Sequence, residues 1–330
     1  MSSISKNKDS FIIDLSKKAK SSLVCQSLLT TVDPSKCNHV TNGLRLPLGI
    51  YNVSILRITQ KLSKVCDRLE QYINISGDLA VLNEHSELRA EIIDYIELSL
   101  YAAAEHVDDV MAIANGFFDL KRKASKDDTC KKFQSDIKEH KKFISATANA
   151  IKHQQARIRL YSREFSHSGV QSCLHGYFIE GVNAGVVGPN VIFHQTQKVF
   201  SITTLAWEIL FFVLKCSRTL HDFLQNIPQL PATMTDNGSE NFSKAVISAV
   251  RLPLYTFDED HPFLRATVIL TSDDEAKKAI KSKIYGSLSN KWSDSETVTF
   301  GKANSEFEGD GVTRSFQLAS PSRTTLQHWQ

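Results

Sequence analysis

The chain has no phosphate-binding loop, no dinucleotide glycine fingerprint, no zinc-ligand spacing and no nucleophile elbow. The motifs that announce a nucleotide-dependent enzyme, a zinc protein or an α/β-hydrolase are therefore missing. Its six cysteines, Cys25, Cys37, Cys66, Cys130, Cys173 and Cys216, include no CxxC pair, and they read as reduced thiols of a cytoplasmic protein. Neither sign of charge prevails: 39 Lys and Arg face 36 Asp and Glu, a formal total of +3. Any nucleic-acid contact has to be local rather than a property of the whole surface. The most apolar window, Val199 to Leu214, carries Glu208 in its middle and is shorter than the roughly 20 residues a bilayer span needs. It reads as a buried helix with Glu208 at its polar edge or paired with a cation. No long apolar run follows the polar, Ser/Lys-rich residues 1–8, so no secretory signal and no membrane association are expected. No repeat of fixed period is found, which disfavours solenoids and propellers.

What is present is a chain of 330 residues with 42% hydrophobic content, enough for a substantial core and about two domains. Between Val53 and Ile75, Ile55, Ile58, Leu62, Val65, Leu69 and Tyr72 recur at steps of three and four, which predicts a helix. A longer helix is predicted from Glu87 to about Phe118 on the stripe Leu88, Ile92, Ile96, Leu100, Ala103, Val107 and Val110. A third is predicted from about Thr129 to His153, after a charged, aperiodic connection over Lys121 to Asp128. Ser10 to Leu29 reads as a strand-like or helical turn followed by a helix, and Asp33-Pro34-Ser35 and Leu46-Pro47-Leu48-Gly49 read as loops.

After His153 the period changes. Arg157, Ile158, Arg159 and Leu160 alternate, the signature of a half-buried strand. Gly176 to Val182 and Asn190 to Phe193 are further strand candidates around a Gly-rich turn at Gly185 to Pro189, and the apolar helix then runs to about Leu224. Pro228 to Ser239 has the composition of a linker. Beyond it come a short helix near Phe242 to Val250, a β-rich run at Phe263 to Leu270, a helix opened by Ser272 with Glu275, and a strand near Thr297 to Phe300. The predicted fold is α+β and mainly α. An antiparallel helical bundle over 10–155 precedes a β-meander with a buried helix over 156–227, a small α/β tail over 240–300, and a disordered end over 301–330.

Asn149, Lys152 and His153, at spacings of three and four, share one side of a helix end. Lys152 is suited to attract a phosphate, His153 to transfer a proton near neutral pH, and Asn149 to orient either through its amide. The same residues also suit a polar helix end that complements the carboxyl-terminal dipole. Arg157, Arg159, Arg163 and His167 follow at once and are candidate phosphate contacts, with Arg157 and Arg159 expected on one strand face. Lys121, Arg122, Lys123, Lys131, Lys132, Lys141 and Lys142 make the middle of the chain locally basic. A solvated helix face balanced by Asp127, Asp128, Asp136 and Glu139 accounts for the same lysines.

A long-helix bundle ending in N-x-x-K-H resembles the HEPN-like helical domains of bacterial abortive-infection and toxin families, over about Val53 to His153. The resemblance implies a cytoplasmic bacterial protein that binds RNA in defence or stress, with metal-independent RNA cleavage as its catalytic extension. It implies no cofactor and no metal, and as partners RNA, a second copy of the chain or the product of a neighbouring gene. Catalytic members carry an arginine, a spacer of about four to six residues and a histidine that act on the scissile phosphodiester. Here Arg163 stands too close to His167, Arg159 too far from it, and Arg218 too close to His221. The alternative is a non-catalytic interaction protein whose bundle associates with itself or with a partner.

Two other constellations bear on chemistry. Glu91, Asp94 and Glu97, with Glu105, His106, Asp108 and Asp109, resemble metal ligands, but an acidic strip pairing with the lysine-rich helix explains them with fewer assumptions. His167, His175, His194 and Cys173 fall in the strand region. Their spacings match no finger or protease signature, and a small-molecule enzyme built on them would need Cys173 beside a histidine in a pocket. In the carboxyl-terminal region Ala276, Ile280 and Ile284 predict an amphipathic helix flanked by Lys277, Lys278, Lys281 and Lys283.

Overall fold

Proline opens the first long helix. Leu46 to Gly49 reads as a loop, yet in the computed structural model α2 begins at Pro47 and runs to Ile75. The first helical N–H has no acceptor inside a helix, so a proline there forfeits nothing and its fixed φ suits the turn. The structure describes residues 9–14, 23–75, 81, 84–119, 121–154, 156–167, 170–183, 186–190, 193, 200–227, 230, 240–253, 255–256, 266–271, 299–305, 313–314 and 325–326. Ahead of α2 lie β1 (Asp9–Asp14), α1 (Val24–Leu29) and a 3₁₀ turn at Pro34–Lys36.

After α2 come α3 (Ser86–Asn115), the single turn α4 (Lys121–Ala124) and α5 (Asp128–His153). The turn α4 interrupts what reads as a solvated connection, because Ala124 is buried against the core. Asp127 starts α5 by accepting the Cys130 N–H at 2.9 Å, an N-cap that satisfies one orphan donor. α3 ends at Asn115, three residues before Phe118, and the N–H of the following Gly116 donates to Ala112 O.

Pairs along the helices fix their directions. Arg57 meets Glu105 at 2.6 Å and Arg68 meets Glu91 at 2.7 Å, so α2 and α3 are antiparallel. Cys130 beside Asn115 and Lys152 over Tyr101 do the same for α3 and α5. Next comes α6 (Ile202–Gln225), antiparallel to α5 through His140–Thr219 and Phe133–Phe223. The four helices thus run up, down, up, down, in the manner of a bundle. Almost the whole of α6 is buried, because α1, α3, α5 and a further helix, α7 (Glu240–Val250), pack around it. Arg251, just past α7, bonds Asp67 and Glu70 at 2.7 and 3.0 Å and ties that end to α2.

Between α5 and α6 the chain forms β2 (Ile158–His167), β3 (Val170–Asn183), β4 (Val186–Pro189) and β5 (Phe200–Ser201). The first three are a meander, with Ile158 opposite Ile179 and Asn183 opposite Val186. Val186 to Pro189 is thus a strand where the sequence reads as a turn, and Asn190 lies outside any strand. Cys173, Tyr177 and Ile179 of β3 join the same apolar core as the helices, and the Tyr72 and His175 rings meet at 4.8 Å where the sheet lies on α2.

The later strands are β6 (Tyr255–Thr256), β7 (Ala266–Thr271), β8 (Thr299–Ser305), β9 (Thr313–Arg314) and β10 (Thr325–Leu326). β8 and β9 join the meander in the order β8-β2-β3-β4-β9, with β5 also pairing β3, so strand structure continues past Gly301. β7 pairs β1 in parallel and β10 pairs β6. Of the linker expected over Pro228 to Ser239 only Leu230 is described, packed against the core; the helix expected from Ser272 and the stripe of Ala276, Ile280 and Ile284 lie outside the described residues. The fold is α+β and mainly helical, and among the described residues no helix is long and apolar enough to cross a membrane.

Candidate functional site

The inward face of α5 carries Cys130, Phe133, Ile137, Ile144, Ala148 and Ala150, all buried. Its outward face carries Lys131, Lys138, Lys142, Asn149 and His153 at steps of seven, four, seven and four, with Lys132 and Lys152 beside them, and all seven are exposed. At 1.5 Å per residue, Lys131 and Lys152 mark a stripe about 32 Å long. Between Asp119 and Arg157 eleven Lys and Arg stand against five Asp and Glu, in a chain whose formal total is +3. Ion pairs within the stripe, Lys131–Asp128 and Lys142–Glu139, each at 2.8 Å, are solvent-exposed and worth little in water.

At the carboxyl-terminal end of α5 the N–H groups of Gln154 and Ala156 both donate to Ala150 O, at 3.0 and 3.2 Å. The chain therefore folds back over the helix end, and Arg157 emerges exposed while its carbonyl accepts the Glu180 N–H at 2.8 Å. Lys152 turns onto α3, its Nζ 4.6 Å from the centre of the Tyr101 ring. Asp94, Glu97 and Tyr101 occupy one side of α3, and Arg157 lies within electrostatic reach of Glu97. Burial, reinforced by Asp94, raises the Glu97 carboxyl above its ordinary range, and Arg157 opposes the shift. Burial and then Glu97 push the Tyr101 phenol up.

The structure thus brings Asn149, Lys152, His153 and Arg157 to one exposed helix end. It does not bring Arg157 and Arg159 onto one free face, because β2 begins at Ile158. Arg159 turns instead to Glu180 on β3, with Nε 2.5 Å from Oε1 and both side chains nearly buried. Arg163 and His167 lie on β2 opposite Leu174 and Val170, and their side chains are outside the described residues. Tyr101 is the residue that sequence patterning overlooks. Its only signal there is a place on α3 one turn from Glu97 and two from Asp94.

The other constellations dissolve into the fold. Glu91 pairs with Arg68, and Glu105 and Asp109 pair with Arg57. Glu91, Glu105 and Asp109 therefore neutralise α2 rather than the lysine-rich helix, while Glu97 lies within electrostatic reach of Arg157 past the end of α5. His106 points into the core, and among the described residues no group of three His, Cys, Asp or Glu could hold a metal ion. His175 is buried against Ser162 at 2.8 Å, and His194 lies outside the described residues. All six cysteines are free thiols. Burial pushes Cys25 up to about 12 and raises Cys66 and Cys216 as well, so these three hold their protons rather than act as nucleophiles. Glu208 reaches about 8 by burial beside Tyr177, which leaves its carboxyl largely protonated at neutral pH. No family model, no curated protein and no solved structure matches the chain.

Proposed function

We propose that the protein binds RNA along the outward face of α5, with Asn149, Lys152, His153 and Arg157 as the contacts at its carboxyl-terminal end. The observation that carries this reading is the row of exposed cations Lys131, Lys132, Lys138 and Lys142 on the helix that ends in those residues. Lysines on a straight helix supply point charges to a phosphate backbone, and each phosphate they neutralise releases counterions, so affinity follows salt. The surface ion pairs of Lys131 and Lys142 are weak enough to be exchanged for phosphates. The committed arginine, Arg159, is excluded from the contact by its pair with Glu180. The resemblance to HEPN-like domains supplies the choice of RNA.

The test is incubation of the protein and of a His153→Ala variant with labelled total RNA in metal-chelated buffer, scoring binding and cleavage together. Binding that weakens with salt, without new RNA fragments, is the expected result. Fragments that disappear with His153→Ala would make the protein a metal-independent ribonuclease, and absence of binding would end the RNA reading. Association through the bundle is the second reading; the large apolar side chains exposed on its long helices are Val53 and Leu98, at 37% and 40%, among the described residues.

A further inference from the structure

Lys152 differs from the other exposed lysines of α5 in what lies beneath it. Lys131 and Lys142 lean on flexible carboxylates within their own helix. Lys152 leans on the face of an aromatic ring that belongs to a different helix, at 4.6 Å. The backbone that carries that ring is held in place, because the flanking Ser99, Leu100, Ala102 and Ala103 are buried and α3 packs along α2 and α5. A lysine ammonium on a flexible four-carbon stem loses much rotational freedom when it binds a phosphate. An ammonium already seated on a π face loses less, and it keeps its outward side for an anion.

We infer that Tyr101 is a positioning residue for the RNA contact, its ring holding the Lys152 ammonium at the helix end where Asn149, His153 and Arg157 are also exposed. The inference rests on the RNA-binding reading given above. Glu97, one turn before Tyr101, lies within electrostatic reach of Arg157. The role of Tyr101 belongs to the ring and not to the hydroxyl. Phenylalanine therefore preserves it and leucine removes it.

The experiment is a double-mutant cycle on the full chain. Binding of a labelled single-stranded RNA of mixed sequence is measured for the natural protein, Tyr101→Phe, Tyr101→Leu, Lys152→Gln and Tyr101→Leu/Lys152→Gln. Thermal melting of each confirms that it is folded. Tyr101→Leu is expected to weaken binding about two- to fivefold, Tyr101→Phe to match the natural protein, and Tyr101→Leu to have no further effect once Lys152 is glutamine. An equal loss in both backgrounds would overturn the inference, since Tyr101 would then act on the fold and not through Lys152. Unchanged binding by Tyr101→Leu, or a loss in Tyr101→Phe as large as in Tyr101→Leu, would overturn it while leaving RNA binding intact. If the natural protein itself fails to bind the probe, the RNA reading falls and the inference falls with it.

Discussion

Ser54 Oγ lies 2.8 Å from His106 Nδ1 in the core between α2 and α3. The imidazole is fully buried, its Nε2 meets no hydrogen-bonding partner among the described residues, and the rings of Tyr51 and Phe212 stand 5.9 and 6.2 Å away. Burial lowers His106 to about 4. The sheet repeats the arrangement, with Ser162 and His175 at 2.8 Å and His175 also lowered to about 4. Both histidines are neutral parts of the fold, and neither serves the candidate site.

Stability should therefore depend on pH in a definite direction. A histidine lowered from 6.5 to about 4 binds fewer protons folded than unfolded. Its contribution is present above pH 6.5 and is lost as pH falls through 4. Glu208, raised from 4.5 to about 8, works in the opposite sense: its contribution is full below pH 4.5 and is lost as pH rises through 8. Two histidines against one glutamate predict maximal stability near neutrality and a fall of a few kcal/mol by about pH 4. Urea titrations across this range measure it, and His106→Leu should flatten the acid limb.

Ser54→Ala removes the hydrogen-bonding partner that the buried Nδ1 of His106 has among the described residues. The expected cost is about 1–3 kcal/mol, and the double variant Ser54→Ala/His106→Leu should recover most of it, because an apolar pair leaves no polar group unsatisfied. Chemical denaturation of both variants checks this.

Arg159 and Arg157 stand two residues apart and should behave as opposites. Arg159→Met leaves Glu180 buried without its ion-pair partner, at a cost of about 3 kcal/mol, and should leave the salt dependence of RNA binding unchanged. Arg157→Gln should leave the melting temperature unchanged and weaken RNA binding. Melting and binding of the two variants, side by side, separate the fold from the site.

Gly116 is required by a neighbour rather than by its own backbone. A Cβ placed there would come within 2.4 Å of the His39 ring, whose Nε2 lies 3.0 Å from Ile113 O. Gly116→Ala is therefore expected to destabilise by about 1–3 kcal/mol through overpacking, read from its denaturation midpoint.

The helices were legible because α2, α3 and α5 each bury one face at helical period, as Ile55, Ile58, Leu62, Val65 and Leu69 show, and because α6 carries the most apolar run of the chain. The start of α2 at Pro47 was hidden because proline signals both loops and first helical turns. Val186 to Pro189 was hidden as a strand because glycine and proline, tolerated at the start and edge of strands, also compose turns. Exposure of Asn149 and His153 followed from their place opposite the apolar stripe of α5, whereas Lys152 stands at its flank, toward Tyr101. The commitment of Arg159 to Glu180, 21 residues away, and the seat of Lys152 on Tyr101, 51 residues away, are tertiary facts. Alternation and helical period carry no record of such pairings.

If RNA lies along α5, its binding is an electrostatic contact whose strength follows salt. A labelled single-stranded RNA is titrated with the natural protein and with Lys138→Gln/Lys142→Gln/Lys152→Gln at several salt concentrations. With four or five phosphate contacts, log K should fall against log salt with a slope of about −3, and the triple variant should be shallower by about 2. Absence of binding, or the same slope in both proteins, would mean that RNA does not lie along α5.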